Sequence, residues 1–109
     1  MQQTSRKVTA IAAADFHLSL RPPLCRVSEP DWYAAMARPL REIKQLVAEY
    51  DCPVLCGGDI FDKWNAPAEL ITFAMRELPQ PFYSVAGNHD LPGHVLDDRH
   101  RSAYGVLEA

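Results

Sequence analysis

Three short stretches of this chain carry side chains that can hold metal ions and move protons. The first is Asp15-Phe16-His17. A carboxylate and an imidazole two residues apart in an extended segment point the same way. Together they offer one hard oxygen and one borderline nitrogen, a pairing that suits Mn, Fe or Zn. The second is Gly57-Gly58-Asp59-Ile60-Phe61-Asp62. Its glycines permit a sharp turn and a close approach of backbone. Asp59 then stands where a carboxylate could bridge two cations, and Asp62, one turn on, could fix the orientation of a nearby histidine. The third is Gly87-Asn88-His89-Asp90. Asn88 can bind a cation through its amide oxygen, and His89 can give a proton to a departing oxygen or hold a phosphate oxygen. Each stretch alone has a plainer reading. An isolated Asp-x-His is commonly incidental, and Gly-rich or Gly-Asn segments are ordinary turns bearing solvated polar groups.

The elements that must position these residues strengthen the set. Residues 8–14 are a short apolar run ending at Asp15 and read as a buried strand, although alanine weakens that reading. Residues 18–30 form a loop, in which Pro22-Pro23 rules out a regular helix. Residues 31–50 have helical periodicity, with Trp32, Met36, Leu40, Ile43, Val47 and Tyr50 at three- and four-residue steps. Pro39 lies inside that segment and predicts a kink or two abutting helices. Residues 53–56 read as a second buried strand, broken by Gly57-Gly58. Pro67 sits near the first turn of a further helix, which must end before Pro79. Residues 81–86 read as a third strand closed by Gly87, and residues 99–109 as a last helix. The order βαβαβα predicts an α/β fold with a mainly parallel sheet. All three motifs follow predicted strands, about 30 to 45 residues apart, as βαβ units require. Ligands of such sheets gather beyond the carboxyl ends of the strands, so the three motifs converge on one site.

Composition sets the outer limits. One hundred and nine residues allow one small domain or part of a larger one. With 48% hydrophobic and 23% charged residues, wholesale disorder is excluded. A formal net charge of −3 gives no basic footprint for a phosphate backbone, so metal ions or a partner must supply most of the attraction for any nucleic acid. Three cysteines with no Cys-x-x-Cys argue against a disulfide framework and for a reducing, cytoplasmic setting. Cys56 reads as a small buried side chain; zinc binding by Cys52 and Cys56 is the sharper alternative, with no second cysteine pair behind it. The apolar stretch before Asp15 is too short for a signal core or a bilayer span, so no membrane partner is expected. There is no internal repeat.

Asp15-x-His17, Gly58-Asp59-x-x-Asp62 and Gly87-Asn88-His89-Asp90, in this order, resemble the calcineurin-like metallophosphoesterase superfamily over nearly the whole chain. The forms Gly-Asp-Ile-Phe-Asp and Gly-Asn-His-Asp look most like the SbcD-type DNA-repair exonuclease branch, and the segment from Leu91 through Leu107 like its phage-borne members. The resemblance implies that Asp15 and His17 bind a first metal, that Asp59 bridges two metals and that Asn88 binds the second. It implies that His89 assists at the phosphate or leaving group, with Asp62 at the position that orients this histidine in the phosphatase branch. It further implies a two-metal hydrolase, with Mn2+ ahead of Fe or Zn, acting on a phosphodiester substrate such as DNA. The cations would clamp the phosphate and activate a water for in-line attack.

The superfamily pattern continues with a histidine on a later strand and a Gly-His-x-His motif, and no such segment occurs in this sequence. His94 and His100 lie in the loop and helix after the third motif and read as ordinary polar residues, with a substrate contact as the alternative for His94. Residues 1–109 are therefore expected to be the N-terminal part of a single metallophosphoesterase domain, an incomplete half of a two-sheet sandwich whose cut edge exposes apolar surface. A partner chain supplying the missing half, or an ATPase subunit, is the corresponding partner. Two alternatives stay open: a non-catalytic metal-binding or assembly fragment, and a phosphomonoesterase or protein phosphatase. Asp62-Lys63-Trp64 stands where an Asp-Arg-Gly would mark the phosphatases, which favours the nuclease. Trp64 could stack on a base or pack a helix.

Overall fold

A computed structural model describes residues 7–109. Three short parallel strands, β1 (Ile11–Ala13), β2 (Val54–Cys56) and β3 (Phe82–Ser84), form one sheet in the order β1-β2-β3. Helix α1 (Trp32–Tyr50) joins the first two strands and α2 (Ala68–Glu77) the last two, while α3 (Ala103–Glu108) follows a run of 3-10 turns. This is the α/β class, parallel sheet and βαβαβα order that the sequence predicts.

The register aligns Ile11 with Val54 and Phe82, and Ala12 with Leu55 and Tyr83. Because successive side chains alternate, each row belongs to one face. Val54 and Cys56 are buried, and Cys56 joins Met36, Leu40, Leu70, Phe73, Ala74, Ile60 and Phe61 in the core. Leu55 and Tyr83 stay 48% and 62% exposed. The expectation of buried strands is therefore corrected: each strand is covered on one side only, and β1 has no fully buried residue.

Helix α1 begins where the Asp31 carboxylate accepts the Ala34 N–H at 3.1 Å, an N-cap that satisfies one orphan donor. It runs through Pro39 as a single element, so the expected alternative of two abutting helices is not the one adopted. Burial of Ala35, Met36, Ala37 and Leu40 on one face offsets the roughly 3 kcal/mol that an interior proline costs. Asp51 ends it in the left-handed region at φ 50°. Helix α2 starts after Pro67 and stops at Leu78, just before Pro79. Glu77, at its end, is buried against Arg41 at 3.3 Å and Lys44 at 3.5 Å from α1. Those pairs hold its carboxyl below the usual range, Arg41 outweighing the burial that would raise it. The final helix starts later than the sequence suggested. Residues 96–101 are a 3-10 segment, and the Ser102 hydroxyl then caps α3 by accepting the Gly105 N–H at 3.0 Å. The Trp64 carbonyl accepts the Ala103 N–H at 2.7 Å, tying that helix to the second motif.

Candidate metal centre

The β1–β2 ladder does not end with the strands. Backbone N–H groups of Asp15, His17 and Leu18 donate to the carbonyls of Gly58, Asp59 and Ile60 at 3.0, 3.1 and 2.8 Å, and Asp62 returns a bond to Leu18 at 3.0 Å. The first two motifs are thus zipped side by side past the sheet edge, which sets His17 opposite Asp59. Within the second motif the side chains split: Ile60 and Phe61 go into the core, and Asp59 stays at the surface beside the histidines.

Asp15, His17 and Asp59 all take positive φ, at 58°, 48° and 55°. Side chains rarely adopt this region, and its strain concentrates at functional sites. The extended geometry expected for Asp15-Phe16-His17 is therefore not the one adopted. The pair still converges, with His17 Nε2 3.7 Å from Asp15 Oδ1, through two left-handed residues instead of strand alternation.

Glycines bring the second and third motifs together. At Gly58 (φ 109°) an added Cβ would lie 2.7 Å from the Gly87 nitrogen, and at Gly87 one would lie 2.6 Å from Asp59 Cγ. Neither position has room for a side chain. The Asp59 carboxylate occupies that space: Oδ1 accepts the His89 N–H at 2.9 Å, and Oδ2 lies 3.2 Å from His89 Nδ1 and 3.7 Å from His17 Nε2. Burial would raise the Asp59 carboxyl. The His89 amide and ring, with His17, more than offset this and hold it below the usual carboxylate range.

His17, Asp59 and His89 each present a ligand atom, and these atoms all lie within 4.8 Å of one another. Donors about 2.1 Å from one tetrahedral cation stand roughly 3.4 Å apart, close to the 3.2 and 3.7 Å that separate Asp59 Oδ2 from His89 Nδ1 and His17 Nε2. One carboxylate and two imidazoles suit Mn, Fe or Zn. The residues present fit a divalent metal.

The structure distributes the remaining predicted residues unevenly. His89, expected at the leaving group, stands among the candidate ligands. Asn88 is exposed beside it, and its backbone carbonyl faces His94 Nδ1 at 2.9 Å, so His94 does reach the third motif. Among the described residues Asp62 makes no hydrogen bond or ion pair with His89; its backbone closes the ladder to Leu18, and Asp59 is the carboxylate that meets the histidine ring. His100 lies in the 3-10 segment before α3, and the buried cysteines Cys52 and Cys56 are absent from any metal-ligand group among the described residues. The residue that sequence reasoning passed over is Asp90. It stands last in the third motif, was given no role, and is wholly buried beneath the centre. A carboxylate placed directly after a Gly-x-x turn, where backbone N–H groups need acceptors, was the available signal.

A parallel α/β sheet with a candidate metal-ligand group on the loops beyond its strand ends fits a class in which ligands gather at the carboxyl edge of the sheet. Residues 9–108 match the family of calcineurin-like phosphoesterases, and the chain belongs to that family. No individual curated protein matches it. The family is one of metal-dependent phosphoester hydrolases that usually bind divalent cations. No helix among the described residues is long and apolar enough to cross a membrane.

Proposed function

We propose that this chain forms part of a two-metal phosphodiesterase, a DNA exonuclease of the repair type, and that Mn2+ is its working ion, ahead of Fe or Zn. The observation that carries this reading is the convergence of His17, Asp59 and His89 within 4.8 Å at the carboxyl edge of the sheet. Asp15 and His17 would hold the first ion, Asp59 would be shared between the two, and Asn88 would serve the second. When bound, the cations neutralise phosphate charge and supply an activated water. That lets a chain of net charge −3 engage an anionic polymer.

The chain's own groups then orient and protonate. His89 has its backbone N–H on Asp59 Oδ1, which holds its ring over the centre, either as a ligand or as the acid for the leaving oxygen. His94, with Nδ1 against the Asn88 backbone carbonyl, leaves Nε2 to face the substrate. The ligand-bearing side chains of Asp15, His17, Asn88 and His89 are all exposed, an open arrangement that suits a polymer more than a small enclosed monoester. Two complete metal shells need more donors than this cluster holds. We therefore place residues 1–109 in the N-terminal part of one metallophosphoesterase domain, acting in the cytoplasm, with further ligands from another segment or a partner chain. An ATPase subunit is the partner this branch would imply.

Calorimetry with Mn2+ on the chain and on Asp59→Asn is the first test, followed by assays on linear DNA and on an aryl phosphomonoester in the presence of Mn2+. The expected result is Mn2+ binding that is lost in the variant, and DNA cleavage by the wild type once a complementing chain is supplied. Hydrolysis of the monoester alone moves the reading to a phosphatase. Metal binding without any hydrolysis, even with a complementing chain, moves it to an assembly module. Undiminished binding in Asp59→Asn removes the centre altogether.

A further inference from the structure

We infer that Asp90 is the positioning residue of this centre: its buried carboxylate holds the Asp59 carboxylate at the junction of His17 and His89. Asp90 has no exposed surface. Its Oδ2 accepts the N–H groups of Asp59, Gly87 and Ile60 at 2.8, 2.9 and 3.4 Å, and its Oδ1 accepts that of Phe61 at 3.3 Å. Four backbone donors from two loops converge on one side chain, and none of the ion pairs among the described residues involves it. A carboxylate with no exposed surface, enclosed by backbone donors in this way, is out of reach of an ion or a substrate. Its effect on chemistry must pass through the backbone it holds.

That backbone is the one bearing the ligands. The Asp59 amide donates to the Asp90 side chain, and the His89 amide donates to the Asp59 side chain. The two aspartates form a reciprocal clasp between the second and third motifs. Asp59 is kept at φ 55°, in the left-handed region that few non-glycine residues occupy, and its carboxylate is kept over Gly87, where only a glycine leaves room. Partners of this kind, behind the ligands, orient them and tune metal affinity.

The inference rests on reading the cluster as a metal centre, and the experiment separates the two. Asp90→Asn is isosteric. Its amide oxygen can serve the three donors at the Oδ2 position, while its NH2 group meets the Phe61 N–H donor to donor. Asp90→Ala removes every acceptor. In the full chain, Asp90→Asn is expected to keep the wild-type circular dichroism and to lose roughly 10–100-fold in Mn2+ affinity by calorimetry, with Asp90→Ala losing more. In the metal-free protein the His17 and His89 ring resonances should shift in Asp90→Asn, because the carboxylate between them has moved. Unchanged affinity, measured well below the melting temperature, with unmoved ring resonances would overturn the inference and leave Asp90 a purely structural group. If Asp90→Ala does not fold, Asp90→Asn decides. If the wild-type chain binds no Mn2+, the reading of the centre fails and the metal-free ring resonances alone judge the clasp, a shift upholding it and no shift ending it.

Discussion

Val54 and Leu55 are neighbours on the middle strand, yet Val54 has no exposed surface and Leu55 keeps nearly half of its own. The same contrast separates the two rows of the sheet. The row of Ile11, Val54 and Phe82 lies on the side of the helices, and α1 packs on β1 there. The row of Ala12, Leu55 and Tyr83, with Val85 beyond it, is exposed. The covered face leads straight into Ile60 and Phe61, which are buried to 2% and 0% exposure and anchor the loop that carries Asp59. Stability and site are therefore joined through one side of the sheet. The other side is apolar in composition but carries none of that load. Parallel sheets are ordinarily covered on both faces, and an apolar row of this kind has the make-up of a surface that something covers.

The contrast can be broken hardest at Phe61. Phe61→Ala removes a fully buried ring from the core and should cost about 3–5 kcal/mol. In a domain of this size, each of those corresponds to roughly 4–8 °C in melting temperature. A loss of only a few degrees by thermal denaturation would mean that the covered face does not hold the molecule together. Next come two changes worth about 1–3 kcal/mol each. Val54→Thr buries a hydroxyl with no partner, and Gly58→Ala forces a side chain into φ 109°. The two should differ in kind: Val54→Thr lowers stability and leaves Mn2+ affinity intact, whereas Gly58→Ala, by pushing on Gly87, lowers both.

A smaller effect is expected at the junction of α1 and α2. Arg41 and Lys44 depress the Glu77 carboxyl in the folded chain. A depressed carboxyl contributes stability that is fully present above its unfolded value of about 4.3 and is lost as pH falls through that value toward the folded one. Glu77→Gln should therefore melt below the wild type at pH 7, and the gap should close as the pH is lowered past about 4. A gap that stays constant across that window would assign the Glu77 contribution to packing instead of charge.

Much of this was legible in the sequence, for reasons that can be traced. The strand and helix order followed from apolar runs, prolines and glycines, whose effects are local, and the convergence of His17, Asp59 and His89 followed because all three succeed predicted strands. What was not legible depended on distant residues. Apolar composition on both sides of β2 could not say that only one side would be covered. Pro39 could not reveal that the buried face around Met36 and Leu40 would carry the helix through. The reach of Asp62 was not legible either, because orienting a histidine is a matter of three-dimensional distance, and among the described residues Asp59 is the carboxylate that pairs with His89. Asp90 was hidden for the same reason: three of its four donors lie about thirty residues away, at Asp59, Ile60 and Phe61.

The smallest expected effect is the sharpest probe of the two faces. Leu55→Thr keeps β-propensity and trades an exposed apolar side chain for a polar one, so in the isolated chain it should move stability by no more than about 0.5 kcal/mol. Val54→Thr, one residue earlier on the same strand, should cost several times that. Denaturant melts of the two variants at a series of protein concentrations would test the contrast. Near-silence at Leu55 at every concentration means that the open row is free in solution. A cost at Leu55 that grows with protein concentration means that a second copy covers the row, because stability gained by association depends on protomer concentration. A cost as large as that at Val54 and independent of concentration would mean that the row is buried within the chain itself, and the division of the sheet into a covered and an open face would be wrong.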